Sequence, residues 1–275
     1  MNLSTLESLN FMDNHFLSEE RFRSRCSIAY ATEPTNPDVS TGYVVANTKT
    51  IVDDIAKLGW FPVTAWQQRR RSGRYSFHSV VFENPDLNEE NYYPRLILTN
   101  SHDGQHAFKF YMALYRKEYG TGLGIILNTG KFENLYIRHI AYTFEELRDL
   151  TNTVAEELPN QLTVINTMIE TTLTLEQKRS FANDMFKIRR NIPVEVPFML
   201  PEDSLKEIYG EEWRTNTNNL WEVFSRLQSV LINGGFTYAS ERTGKPRKLR
   251  LIKSAAKDIA VSKKLFKAAM SYLNK

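Results

Sequence analysis

The chain has 275 residues, 41% hydrophobic and 24% charged, which is long enough to bury a self-sufficient core and too apolar for a disordered polymer. No apolar run approaches the roughly 18 residues of a membrane span, and the N-terminus lacks the basic and continuous apolar regions of a signal peptide. The single cysteine, Cys26, closes no internal disulfide, and the net charge of +3 conceals a polarity: residues 242–275 hold eleven basic residues against one acid, Asp258, so that segment is +10 and residues 1–241 are −7.

In chain order, Leu3, Leu6, Leu9 and Phe16 suggest a short amphipathic helix, followed by a basic and aromatic cluster at Arg21, Phe22, Arg23 and Arg25 and by loop chemistry from Glu33 to Asp38. Residues 1–42 therefore read as a peripheral segment. Residues 43–140 read as a sheet-rich core. Gly42 to Ala46 is a predicted short strand, and Asn47 or Thr48 caps a helix with Ile51, Val52, Ile55 and Leu58 on one face before Gly59 stops it. Further strands are predicted at Tyr75 to Phe82, Arg95 to Thr99, His106 to Leu114, Leu123 to Leu127 and Leu135 to His139, with Asn100 to Gly104 as a hairpin loop.

Residues 141–241 read as helical. Thr143 to Glu146 is a capping box, Leu147, Leu150, Val154 and Leu158 follow at helical spacing, and Pro159 breaks or kinks the run before Leu162, Ile165, Met168 and Ile169 continue it. A second helix opens at Thr174 and ends near Arg189 and Arg190, Ile192 to Pro197 is an extended connector, and a third runs from Asn218 to Ile232, ending at Gly234-Gly235. The basic segment, residues 242–275, then reads as a loop from Thr243 to Arg250 and a helix from about Lys253. It looks appended, although Ile259, Leu265, Phe266, Met270 and Leu273 form a stripe that would let the helix dock on a core. The fold class expected is α+β: a small, mostly antiparallel sheet flanked by helices, then a helical region and a basic C-terminal helix.

Residues that could carry chemistry are few. His102, Asp103 and His106 straddle a turn and a strand, where an i, i+4 pair does not converge on one metal. Ser101-His102-Asp103 holds the three triad residue types, but adjacency is the wrong geometry for a triad. Gly120-Thr121-Gly122-Leu123-Gly124 lacks the Lys-Ser/Thr ending of a phosphate loop and leads into a strand pattern. No catalytic residue, metal or cofactor is expected. Basic clusters are the category that accumulates. Trp66, Arg69, Arg70, Arg71, Arg74 and Tyr75 set four arginines among aromatics, and the C-terminal segment adds Lys245, Arg247, Lys248, Arg250 and Lys253. Cations neutralise phosphates, and aromatic faces stack on unpaired bases.

Gly59 to Arg69, Phe77-His78, Leu98 to Gly104 and Arg138-His139, with Arg247 to Ser254 at the end, resemble the phage/plasmid-like domain-of-unknown-function 932 family, in that order, over roughly residues 40–255. Members commonly carry a Phe-Arg followed by a Cys-Asn-Gly stretch, whereas here Tyr115-Arg116 leads into Lys117-Glu118-Tyr119-Gly120, so any role of that cysteine has no position in this chain. The resemblance implies residence on a mobile element. The expectation is a cytoplasmic, oligomeric, non-enzymatic DNA-binding protein acting on single strands in recombination or replication, as strand-annealing factors do. The alternatives are a protein-interaction module, such as an inhibitor of a host defence or replication factor, and a hydrolase built on His102, His106 and Asp103.

Overall fold

The computed structural model describes residues 15–68, 76–88, 92–106, 108–116, 118, 124–127, 143–193, 195–216, 218–240 and 242–273. They form seven strands and seven α-helices, and the class is α+β. The chain divides into two compact units, residues 1–114 with 129–158 and residues 115–128 with 159–275.

The first unit is built on β1 (Phe61–Gln67), β2 (His78–Glu83), β3 (Tyr93–Asn100) and β4 (Lys109–Tyr115), in the spatial order β1-β2-β3-β4. Pairing is antiparallel between β1 and β2 and between β2 and β3, with His78 opposite Asn100 and Glu83 opposite Arg95. Every residue of β2 is buried, as is all of β3 after Tyr93. Such runs as Val80-Val81-Phe82 and Leu96-Ile97-Leu98 suit central strands covered on both faces. Helix α1 (Glu19–Arg25) packs on β1, and so does α2 (Thr48–Lys57), which buries Ile51, Val52 and Ile55. Asn47 caps α2 by accepting from the Thr50 amide at 2.9 Å, and Gly59 leaves it at φ 86°.

Two sequence expectations change here. Gly42 to Ala46 is no strand: Tyr43 donates its hydroxyl to Ser101 O at 3.0 Å and Ala46 O accepts from Asn100, so side chains rather than a ladder hold this segment. Conversely, β1 was not among the predicted strands; its residues were noticed only in the family motif and, at Trp66, in the basic and aromatic cluster. Pro62 argues against a central strand, but β1 is an edge strand with a register shift between Pro62 and Thr64. Its free edge is covered by residues 15–28, through Leu17 N donating to Pro62 O at 2.7 Å and Ile28 N to Gln67 Oε1 at 3.0 Å. Within that cover His15 reaches the buried Glu83 at 2.6 Å, and Arg95 reaches the same carboxylate at 2.7 Å. Burial raises the Glu83 pKa, yet the bonds and charges of His15 and Arg95 hold it below the usual carboxylate range. The helix predicted near Leu3 and the strand predicted at Leu135 to His139 fall wholly or almost wholly outside the described residues.

The long helix α3 (Phe144–Glu170) runs through Pro159 without interruption, and the division between units falls at that proline. The second unit contains β5 (Ile125–Ile126), α4 (Leu175–Arg190), α5 (Glu202–Tyr209), α6 (Leu220–Asn233), β6 (Thr237–Ala239), β7 (Pro246–Lys248) and α7 (Ala255–Met270). A capping box at Thr174 and Gln177 starts α4, and Asn191 ends it in the left-handed region at φ 55°. Helix α7 is no appendage: it packs on α4, α6 and β5, with Ile259, Val261, Leu265 and Phe266 buried and the Tyr272 hydroxyl donating to Asp184 at 2.7 Å. Its apolar stripe outweighs the self-repulsion of its lysines because those lysines point outward.

Gly234 ends α6 at φ 74°, and a Cβ there would lie 2.6 Å from Leu249 O and 2.7 Å from the carbonyl carbon of Arg250. Backbone cannot yield as a side chain can. Gly234→Ala is expected to destabilise the protein by at least ~2 kcal/mol in urea titration, from positive φ and the close approach together.

Candidate functional site

The predicted loop from Thr243 to Arg250 contains a strand. β6 and β7 form an antiparallel hairpin with Thr237 opposite Lys248, Tyr238 opposite Arg247 and Ala239 opposite Pro246. Ser240 N donates to Lys245 O at 2.9 Å, and Gly244, at φ 65°, donates to Ser240 O at 2.8 Å, closing the turn. Three-residue strands are too short to show alternation, so the hairpin was not legible. Tyr238 anchors it: the ring is buried, lies 4.9 Å from Phe186 and is covered at 5.4 Å by the Arg190 guanidinium.

Beyond the hairpin, Leu249 and Ile252 turn inward while Lys245, Arg247, Lys248, Arg250 and Lys253 are all exposed. The backbone that carries them is fixed at several points. Leu249 N donates to Phe236 O at 2.9 Å, Ile252 N to Ile232 O at 2.9 Å, and the buried Arg189 donates to Arg250 O at 2.9 Å. Ser254 then caps α7, on which Lys257, Lys264 and Lys267 are exposed. The acid of this stretch, Asp258, is buried and accepts from Ser262 at 3.0 Å. None of the eight cations joins an ion pair among the described residues. The result is a set of outward-facing cations on hydrogen-bonded backbone, with the acid of the same segment buried and the exposed Glu207 carboxylate accepting from the Thr237 amide at 2.9 Å at the edge of the hairpin.

The other predicted cluster belongs to the first unit. Trp66 sits near the end of β1, half-buried, with its ring edge-on to Phe77 at 6.2 Å. Arg69, Arg70, Arg71, Arg74 and Tyr75 lie outside the described residues. Nearby, the buried Cys26 thiol is pushed up to about 12, by burial above all, which leaves it unreactive as a nucleophile at neutral pH.

A third constellation went unread because its members are distant in sequence. Thr48, Ser76, His78, Asn100, Ser101, His102 and Asp103 are all buried. Asn100 Nδ2 donates to Thr48 Oγ1 at 2.9 Å, Thr48 lies 2.7 Å from His78 Nε2, and His78 Nδ1 lies 2.6 Å from Ser76 O. Read as a donor chain, this fixes neutral His78 with its proton on Nδ1. The Ser76 hydroxyl accepts from the His102 amide at 2.6 Å, and Asp103 accepts from the Ser76 and Gln105 amides at 3.0 Å each. Gly104 follows at φ 74°, as the turn reading of Asp103-Gly104 expects. Phe77-His78 and the Asn100 to Gly104 element were noticed as motifs, but nothing local in the sequence shows that they meet.

The hydrolase residues face different ring neighbours, although, against the rise from burial, the Ser76 and Gln105 amides and the His106 charge hold the Asp103 carboxyl below the usual range. His102 packs edge-on against His78 at 5.0 Å, His106 against Phe77 at 4.9 Å, and Ser101 Oγ donates to His106 O. Among the described residues no group of three or more His, Cys, Asp or Glu is placed to hold a metal. The network holds the loop to the sheet and to α2. Asp103→Ala strips the buried Ser76 amide and the more accessible Gln105 amide of their acceptor and is expected to cost about 1–3 kcal/mol by urea titration, with oligonucleotide affinity unchanged by anisotropy.

Residues 38–257 match the family described as "Domain of unknown function (DUF932)". Two relatives from Escherichia coli (strain K12), UPF0380 protein YfjQ and UPF0380 protein YafZ, are each 22% identical to the chain over 278 residues, covering 95% of it and 93% of the relative. No solved structure matches. No helix among the described residues is long and apolar enough to cross a membrane. With four-fifths of its length matched and the match running through both units, the chain belongs to the DUF932 family.

Proposed function

We propose that this protein is a non-enzymatic nucleic-acid-binding protein whose β6–β7 hairpin and α7 grip the phosphate backbone. One observation carries the reading: eight exposed cations on hydrogen-bonded backbone, with no ion pair among the described residues and the acid of their own segment, Asp258, buried. Unpaired surface charge of one sign is costly unless a polyanion offsets it, and nucleic acid is the common polyanion of the cell interior. Single-stranded DNA, handled in recombination or replication by an oligomer without ATP, is the substrate we propose. Anchoring Tyr238 under Arg190 also fits this role, because a rigid hairpin loses little entropy when it docks.

Counterion release gives the test. If five cations contact phosphate, affinity for a single-stranded oligonucleotide should fall about 100-fold between 50 and 200 mM salt, measured by fluorescence anisotropy. Salt-insensitive binding, or none at low salt, would contradict the proposal. A protein partner with an acidic face is the second reading, favoured by Leu251, which is 51% exposed directly after Arg250. That partner would compete with oligonucleotide and would depend on Leu251, whereas phosphate binding would not.

A further inference from the structure

We infer that a cleft between α1 and β1 in the first unit is a subsite for one unpaired nucleotide, its base stacked on Trp66 and its phosphate held by Arg25. This rests on the nucleic-acid reading and adds a site of different chemistry in the other unit. The cleft, about 510 Å³, is lined by Ser24, Arg25, Ala65, Trp66 and Gln67, and falls within the ~300–1,000 Å³ of small-molecule sites.

Each wall has a defined origin. Thr64 and Trp66 share one face of β1, about 7 Å apart by strand rise. The exposed Arg25 guanidinium, at the C-terminal end of α1, reaches Thr64 Oγ1 at 3.4 Å, and so stands beside the indole on that face. It forms no ion pair among the described residues. Gln67, next along the strand, also lines the cleft and is held by the Ile28 amide at 3.0 Å and by Ser27. A guanidinium beside a half-exposed indole, with serine and glutamine at the rim, matches a nucleoside phosphate: anion, flat ring and polar edge. Duplex bases, already stacked on each other, offer the indole no face. The cleft would therefore discriminate single strands from duplex, which backbone-reading cations alone do not do.

The chain's tryptophans supply the probe. Trp60, Trp213 and Trp221 are each 1% exposed, so quenching at the surface reports on Trp66. The full-length protein would be titrated at low salt with a twelve-residue oligothymidylate, a matched duplex and thymidine monophosphate, following tryptophan emission and anisotropy together. We expect saturable quenching by the single strand, none by the duplex, and no quenching in Trp66→Phe, which keeps the packing on Phe77. Arg25→Glu, an exposed change, should weaken the quenching transition by about ten-fold or more. Monophosphate quenching at the concentrations effective for the oligonucleotide would support the site and assign it to free nucleotides. Oligonucleotide binding seen by anisotropy with Trp66 emission unchanged, or quenching indifferent to Arg25→Glu, would overturn the inference and leave the proposed function standing. Monophosphate quenching of Trp66 without any oligonucleotide binding would do the reverse.

Discussion

Deleting residues 242–275 is expected to unfold the second unit rather than trim a tail from it. Leu249, Ile252, Ile259, Val261, Leu265, Phe266 and Tyr272 are all at most 8% exposed, and Phe266 and Tyr272 rest on Phe224 and Phe181 at 6.0 and 4.9 Å. At ~1.5–3 kcal/mol for each fully buried apolar side chain, the loss exceeds 10 kcal/mol, comparable to the ~5–15 kcal/mol that stabilises a whole domain. The deletion also removes Arg250 O from the buried Arg189 and Ser262 from Gln228, leaving polar groups stranded. Circular dichroism and urea titration of the truncated chain should show helix loss and no cooperative transition for the second unit. A soluble product with a native-like melt and only its binding lost would show that α7 is dispensable to the core. Because deletion confounds folding with binding, exposed-face substitutions are the proper test of the cationic surface.

Mild acid should destabilise the first unit well before its carboxylates titrate. Burial, helped by the neighbouring His102, lowers the His78 pKa from the ordinary 6.5 to about 3. The unfolded chain therefore binds one more proton than the folded one between those values. Stability from this group is complete above pH 6.5 and drains away as pH falls toward 3, a loss on the order of several kcal/mol. Protonation would also reverse the Thr48 contact, because Nε2 would then donate to the hydroxyl and no longer accept from it. Glu83, whose pKa is held below the ordinary 4.5, adds a loss in the same direction, but only once the pH falls below that ordinary value. Urea midpoints at pH 7.5, 6.0 and 5.0 should decline for the parent protein. His78→Gln should be less stable at pH 7.5 by about 1–3 kcal/mol yet show a much flatter decline. An equal slope in both proteins would assign the acid sensitivity elsewhere.

What the sequence revealed follows the range of the forces involved. Helices α2, α4 and α6 were legible because the caps at Asn47 and Thr174 and the apolar spacing are local signals. β2 and β3 were legible from their β-branched and aromatic runs. β1 was missed because Pro62 is acceptable only on an edge, and edges are defined by neighbours far along the chain. For the hairpin, the cations were visible, but Tyr238 and the inward Leu249 that present them on rigid backbone depend on tertiary packing. The Thr48, His78 and Asn100 network is the extreme case, joining three elements through contacts 30 to 54 residues apart.

The most direct test of the central claim is the affinity of the triple variant Lys245→Glu, Arg247→Glu and Lys248→Glu for a single-stranded oligonucleotide at 100 mM salt. All three side chains are exposed and none joins an ion pair among the described residues, so the fold should be retained and circular dichroism should match the parent. Three phosphate contacts would be replaced by three repulsions, which should weaken binding at least ~100-fold and flatten the salt dependence by roughly three contacts' worth of slope. A folded variant that binds within two-fold of the parent, with the same salt slope, would contradict the assignment of this hairpin as a nucleic-acid grip.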